Sequence, residues 1–317
     1  MKKVLITGAL GQIGSELTVK MREVYGTNNV VASGRRIKEE HRQLIESGPF
    51  EIININDINA LGEAVDKYKI DAIVNLAAIL SAVGEKHPDQ CWQINMNGLY
   101  NVLEVAKEKG CMVFTPSSIA AFGPSTPPDK TPQDTIQRPT SMYGVTKVAG
   151  ELLCDYYFKR FGVDTRGVRF PGLISYETLP GGGTTDYAVH IYYEALKNKK
   201  YTSFIAKGTY MDMMYMPDAL DAIINLMEAD PSKLIHRNAF NVSAMSFDPE
   251  MLAESIRKFI PEFELHYKVD PVRQGIAESW PNSLDDTAAR EQWGWNPKYT
   301  LDAMTEDMLE KLKRKLS

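Results

Sequence analysis

The chain lacks most features that would send it to a membrane, a nucleic acid or the secretory route. Its only cysteines, Cys91, Cys111 and Cys154, have no paired spacing. They read as buried thiols of a reducing compartment and argue against a disulfide framework. The five histidines, His41, His87, His190, His236 and His266, show no ligand spacing, so no metal site is expected. The start, Met1-Lys2-Lys3-Val4-Leu5-Ile6, ends its apolar run too early for a signal peptide or a membrane span. The expected location is therefore the cytoplasm, or an organelle matrix if a transit peptide was removed. No Lys/Arg-rich arm occurs and the net charge is −5, so neither a nucleic-acid nor a membrane partner is expected. Internal repeats and low-complexity segments are also missing. What remains is an ordinary globular composition, 44% apolar and 24% charged, long enough for one two-lobed unit or two domains.

Within that composition, short apolar runs alternate with amphipathic stretches, the pattern of a parallel sheet covered by helices. Strands are expected at Lys3–Thr7, Asn29–Ser33, Glu51–Ile53, Ala72–Leu76, Met112–Thr115 and Thr165–Phe170. Helices are expected at Gln12–Tyr25, Ile58–Lys69, Cys91–Lys109 and Ser141–Phe161. After Pro171 the pattern changes: Pro180-Gly181-Gly182-Gly183-Thr184-Thr185 reads as a flexible loop, followed by a helix over Asp186–Asn198. A late strand at Ala239–Val242 is expected to return to the sheet edge. The fold class is α/β: a Rossmann-type doubly wound parallel sheet over 1–175, joined by the strand near 239–242. A smaller, discontinuous α/β substrate lobe is expected over most of 176–317.

Thr7-Gly8-Ala9-Leu10-Gly11-Gln12-Ile13-Gly14 carries glycines at positions 8, 11 and 14, between an apolar strand and a helix. Gly8, Gly11 and Gly14 permit a tight turn and close approach of a pyrophosphate. Gln12 and Ile13 open the helix, whose free N–H groups and positive dipole end favour an anion. The second strand of such folds usually ends in an acidic residue that holds the ribose hydroxyls. Here the place reads Ser33-Gly34-Arg35-Arg36. Losing the carboxylate removes repulsion toward a 2′-phosphate, and two arginines could bind one. The plainer reading has Arg35 stacking on adenine and Arg36 solvated. Asp57, with Ile58 beside it, is placed to take the adenine amino group; capping the helix it precedes is compatible with that, because its backbone could serve the same position. Leu76-Ala77-Ala78 leaves room for a ribose, and Asn95 is expected to brace backbone near the catalytic strand.

Tyr143-Gly144-Val145-Thr146-Lys147 sets a phenol and an ammonium one helical turn apart on a single face. A nearby lysine charge favours the phenolate and brings its pKa toward the working range of a base. Alone the pair is a weak signal; downstream of the glycine turn and of Ser117-Ser118 it is a strong one.

Together these residues resemble the extended short-chain dehydrogenase/reductase superfamily, across essentially the whole chain. The matching parts are the glycine turn, Asp57, Leu76-Ala77-Ala78, Pro116-Ser117-Ser118 and the Tyr143–Lys147 pair. Within it the chain looks most like the epimerase-like L-threonine 3-dehydrogenase family. That narrower likeness rests on Ser117–Pro124, Pro171–Ser175, 180–188, Met213–Asp218 and Ser279–Asp286. The resemblance implies NAD, with NADP left open by Gly34, and metal-independent oxidation of L-threonine at C3 to 2-amino-3-oxobutanoate. That reaction feeds threonine catabolism toward glycine or aminoacetone.

In this scheme Tyr143 takes the hydroxyl proton, and Lys147 supports it and holds the nicotinamide ribose. Ser118 steadies the reacting oxygen, with adjacent Ser117 a competitor. Phe170 and Leu173 line the nicotinamide. Ser81, Ser118, Tyr143, Thr185 and Trp280 are the substrate-binding candidates; helix capping for Thr185 and ordinary lobe packing for Trp280 are the plainer alternatives. Three consecutive glycines at 181–183 suggest a hinge. The Met213–Met216 run reads most simply as apolar packing between lobes. The family also implies a homodimer through the helices at Cys91–Lys109 and Ser141–Phe161. Two rivals share the fold: a nucleotide-sugar epimerase or dehydratase, which needs cations in its second lobe, and a non-enzymatic dinucleotide sensor, which would not need the Tyr/Lys pair.

Overall fold

The computed structural model describes residues 3–37, 39–178 and 183–317. The chain begins with β1 (Val4–Thr7), α1 (Gln12–Tyr25), β2 (Val30–Gly34), α2 (Arg42–Glu46), β3 (Phe50–Ile52), α3 (Ile58–Tyr68) and β4 (Ala72–Asn75). It continues through α4 (Ser81–Lys86), α5 (Pro88–Trp92), α6 (Gly98–Lys109), β5 (Met112–Phe114), β6 (Ser117–Ser118), α7 (Met142–Phe161), β7 (Thr165–Arg166), β8 (Val168–Phe170) and β9 (Gly172–Ile174). Then come α8 (Tyr187–Asn198), β10 (Lys200–Ser203), β11 (Met211–Tyr215), α9 (Met216–Glu228), β12 (Phe240–Asn241) and β13 (Met245–Phe247). The chain closes with α10 (Pro249–Arg257), β14 (Glu264–Tyr267), α11 (Pro271–Glu278), α12 (Thr287–Trp293) and α13 (Leu301–Leu316).

Two compact units result. The first holds Met1–Ser118, Ser141–Arg169 and Leu220–Phe240; the second holds Ile119–Thr140, Phe170–Ala219 and Asn241–Ser317. In the first, six parallel strands run in the order β3-β2-β1-β4-β5-β7. β1, β2 and β4 are buried along their whole length, as strands covered on both faces must be. Leu5, Val31, Ile73 and Val113 pack against Val65 of α3, Leu103 of α6 and Cys154 of α7. The strand order reverses between β1 and β4, and in such sheets ligands bind outside the carboxyl ends of the strands at that crevice.

Three expectations are corrected. The run Thr165–Phe170 is not one strand but breaks at Gly167, where a Cβ would fall 2.3 Å from the Thr115 carbonyl oxygen. β7 therefore stays in the main sheet, while β8 forms a separate three-stranded sheet in the order β12-β8-β6. The late strand joins this small sheet and not the edge of the main one. It shortens to Phe240–Asn241 because Ala239 takes a left-handed φ of 58°, which an extended strand cannot accommodate. The helix expected from Cys91 starts earlier, at Pro88, and carries a π-turn over Gln93–Asn97 before α6.

The second unit has a mixed sheet in the order β13-β11-β9, with β11 antiparallel to β13 and parallel to β9, and a parallel pair β10-β14. Its core gathers Tyr187 and Tyr192 of α8, Phe247, Ile256 of α10, and Met304 and Met308 of α13. Met213 and Tyr215 of β11 belong to that core. Positions 181 and 182 of the expected hinge, and 180 of the loop that carries it, lie outside the described residues. Among the described residues no helix is long and apolar enough to cross a membrane.

Candidate active site

The glycine turn is shaped by close backbone approach. Gly8 has φ 70°, and a Cβ on it would stand 2.7 Å from the Ala77 nitrogen and the Leu76 carbonyl carbon. A Cβ on Gly14 would stand 2.3 Å from the Gly8 oxygen, so both positions exclude a side chain. Gly8 thereby presses the turn against the end of β4. The Gly11 N–H donates to the Gly8 carbonyl at 3.0 Å and closes the turn. Gly11 is the N-cap of α1 and supplies no side-chain cap. The first N–H groups of α1, including those of Gln12 and Ile13, therefore have no intrahelical acceptor. An uncapped helix start behind a turn with glycine at positions 8, 11 and 14 fits a pyrophosphate.

The Ala9 N–H donates to the Ser33 carbonyl at 2.9 Å, which ties the turn to the end of β2. Gly34 ends that strand, and Arg35 and Arg36 follow it, both exposed. Asp57 caps α3: its Oδ1 accepts from the Asn59 and Ala60 N–H groups, each at 3.1 Å. Ile58 is the first residue of that helix.

At the other end, Tyr143 and Lys147 lie in the first turns of α7. The start of this helix is held twice: Ser141 Oγ accepts from the Gly144 N–H at 3.0 Å, and Glu85 Oε1 of α4 accepts from the Met142 N–H at 2.6 Å. Lys147 Nζ stands 5.3 Å from the centre of the Tyr143 ring and donates to the Pro116 carbonyl at 2.7 Å. Pro116 leads directly into β6, Ser117–Ser118.

Asn95, inside the π-turn, clamps the backbone after β4. Its Oδ1 accepts from the Ile79 N–H at 2.8 Å, and its Nδ2 donates to the Ile79 carbonyl at 3.1 Å and to Thr146 Oγ1 at 3.1 Å. The extra residue of a π-turn re-aims a side chain in this way, and such turns are frequent at functional sites. A cleft lined by Leu76, Ala77, Ala78, Asn95 and Lys147 results.

Two residues that sequence reasoning missed, Asn75 and Glu151, share this cleft with Ser117, the expected competitor of Ser118. Thr7 Oγ1 donates to Asn75 Oδ1 at 2.8 Å. Ser117 Oγ donates to Glu151 Oε1. Arg169 of β8 grips the same carboxylate, Nε to Oε1 at 3.0 Å and Nη2 to Oε2 at 2.9 Å. Ser117, Glu151 and Arg169 are all buried. The available signal was spacing alone: Glu151 follows Lys147 by one helical turn, as Lys147 follows Tyr143. The segment Pro116-Ser117 is thus tethered to α7 at two successive points.

Of the remaining candidates, Ser81 opens α4 and is half-buried. Phe170, Leu173, Thr185 and Trp280 belong to the second unit. Phe170 is buried, and Leu173 lies in β9 opposite Met214. Thr185 sits in a short 3-10 turn, where its Cγ2 would be 2.6 Å from a Cβ on Gly172. Trp280 is half-buried and packs on Ile119, Phe122 and Leu284. Among the described residues no group of three or more His, Cys, Asp and Glu is placed to hold a metal ion.

A doubly wound parallel sheet with a glycine-rich turn at its switch point, together with a Tyr/Lys pair on one helix, defines an extended short-chain dehydrogenase/reductase. The chain belongs to the NAD dependent epimerase/dehydratase family, whose model matches residues 4–243. It is 60% identical over 315 residues to an uncharacterized epimerase/dehydratase of Staphylococcus saprophyticus, covering 99% of this chain and 98% of that relative. The structure of an L-threonine dehydrogenase from Clostridium difficile superposes with a TM-score of 0.98 at 65% identity, over 99% of this chain and 98% of that one. A monomeric L-threonine 3-dehydrogenase from a metagenome superposes with a TM-score of 0.93 at 45% identity, over 99% of this chain and 100% of that one. The family implies an enzyme that uses a nicotinamide dinucleotide, and the glycine turn fits one.

Proposed function

We propose that the protein oxidises the C3 hydroxyl of L-threonine, giving 2-amino-3-oxobutanoate, with NAD as the hydride acceptor. The glycine turn with Gln12 and Ile13 would hold the pyrophosphate, Leu76–Ala78 the neighbouring ribose, and Lys147 the nicotinamide ribose. When bound, the dinucleotide supplies a ring that accepts hydride from C3. Tyr143 takes the hydroxyl proton, and Lys147 keeps a positive charge over its ring. Ser118 is the hydroxyl assigned to the reacting oxygen, while Ser117 donates to Glu151. Ser81 and Thr185 are the candidates for the substrate's charged ends, and Trp280 for excluding water.

The observation that carries this reading is the Lys147 ammonium, pinned by the Pro116 carbonyl 5.3 Å from the Tyr143 ring centre. The substrate choice leans on whole-length similarity to L-threonine dehydrogenases. It also leans on β11, whose Met213, Met214 and Tyr215 are fully buried where a nucleotide-sugar enzyme would need cations for its diphosphate. Three buried free thiols suit a cytoplasmic setting. Exposed Leu152 and Tyr156 of α7 and Tyr100 of α6 suit a homodimer across those helices, to be checked by light scattering.

The deciding experiment supplies NAD with L-threonine or with UDP-sugars. Free NADH should accumulate only with L-threonine. Conversion of a UDP-sugar without free NADH would replace this reading with epimerisation.

A further inference from the structure

Dinucleotide-binding folds of this kind select NAD with a carboxylate at the end of the second strand, and accommodate the 2′-phosphate of NADP with a nearby arginine. Here β2 ends at Gly34, beside the glycine turn through the Ala9–Ser33 hydrogen bond. The place is also cramped for a larger residue, since a Cβ on Gly34 would stand 3.0 Å from Leu10 Cδ1 and 3.2 Å from Leu10 Cγ. Arg35 and Arg36 follow, exposed, and neither guanidinium has an ion-pair or hydrogen-bond partner among the described residues. The nearest acidic side chains along the chain are engaged elsewhere. Glu39 and Glu46 pair with Arg42 at 3.1 and 2.8 Å, and Glu40 approaches His41 at 3.4 Å.

We infer that this protein has relaxed coenzyme selectivity and binds NADP about as readily as NAD, with Gly34 as the determinant and Arg35 and Arg36 as partners of the 2′-phosphate. A carboxylate at position 34 would hydrogen-bond the free 2′-hydroxyl and repel a phosphate there. Without it NAD loses that bond, while the phosphate meets two uncommitted cations able to make charge-assisted hydrogen bonds. The inference rests on the family's dinucleotide site and not on the choice of threonine as substrate.

The test is isothermal titration calorimetry of the full chain with NAD+ and NADP+, in the absence of substrate. The dissociation constants should lie within about tenfold of each other, a gap of under about 1.4 kcal/mol. The double variant Arg35→Ala/Arg36→Ala, exposed and therefore safe for folding, should raise the NADP+ to NAD+ ratio of those constants by about fivefold or more. Gly34→Asp should move the ratio the same way. A native preference for NAD+ beyond about tenfold, or an arginine variant whose ratio rises by less than about fivefold, would overturn the inference. A protein that binds both dinucleotides yet leaves L-threonine untouched would instead overturn the threonine reading and leave this one standing.

Discussion

Glu151 in the first unit and Asp212 in the second are both carboxylates removed from water, 7% and 0% exposed. Their surroundings differ. Glu151 is gripped by the Arg169 guanidinium through two hydrogen bonds and receives a third from Ser117. Asp212, in β11, accepts from the Leu284 N–H at 2.9 Å, and burial pushes its carboxyl up to about 7. Removing two charges from water is costly, and apolar side chains of similar size often serve stability as well. A paired carboxylate beside Lys147 therefore points to positioning of the Pro116–Ser118 segment. The one in the second unit ties stability to pH.

The contrast breaks most forcefully at Glu151. Glu151→Ala removes the carboxylate that accepts two hydrogen bonds from the buried Arg169 guanidinium and should cost about 3–5 kcal/mol of stability, seen as a large drop in thermal midpoint. Replacing both partners, Glu151→Leu with Arg169→Met, should restore most of that stability. The restored double variant should still oxidise L-threonine more slowly, because the Pro116-Ser117 segment has lost one of its two tethers to α7. A double variant with native kcat would reduce the pair to packing.

Asp212 supplies the next largest effect. Its carboxyl is raised above its ordinary 3.8, so the folded state holds its proton where the unfolded chain has released it. The stability it allows is complete below about pH 4 and declines as pH rises toward about 7, by at most about 1.4 kcal/mol per pH unit. Above that the loss is constant. Thermal midpoints of the native protein and Asp212→Asn, compared from pH 4 to 8, should differ by an amount that grows in this window; parallel curves would contradict the burial argument.

The smallest effect sharpens the comparison. Ser117→Ala removes one hydrogen bond from Glu151 and should cost about 1 kcal/mol of stability. Its kcat should fall with KM unchanged, and Ser117→Thr, which keeps the hydroxyl, should recover part of the loss.

What the sequence made legible follows from locality. Gly8, Gly11 and Gly14 fall at regular spacing in one short strand-to-helix turn, so spacing reveals them, although Gly8 also answers to Leu76 and Ala77 far along the chain. Tyr143 and Lys147 share one helix face, which spacing also encodes. Glu151 continues that face, but its role depends on Arg169, which lies on a different element, and on Ser117, whose two-residue strand has no periodic signature. The π-turn at Gln93–Asn97 is one extra residue that locally underwinds a helical pattern, invisible to a period count, yet it aims Asn95 at Ile79. The Asp57 side chain caps α3, a role compatible with its backbone meeting the adenine. Gly167 and Ala239 altered strand bounds through single backbone features that composition does not encode.

The central claim is that Tyr143 carries the proton out of a substrate hydroxyl beside a bound dinucleotide. Its most direct test is NADH formation from L-threonine by the native protein and by Tyr143→Phe, with dinucleotide binding measured in parallel. The account predicts a fall of about 10²–10⁴-fold in kcat while the dinucleotide still binds. Native turnover by Tyr143→Phe would contradict it.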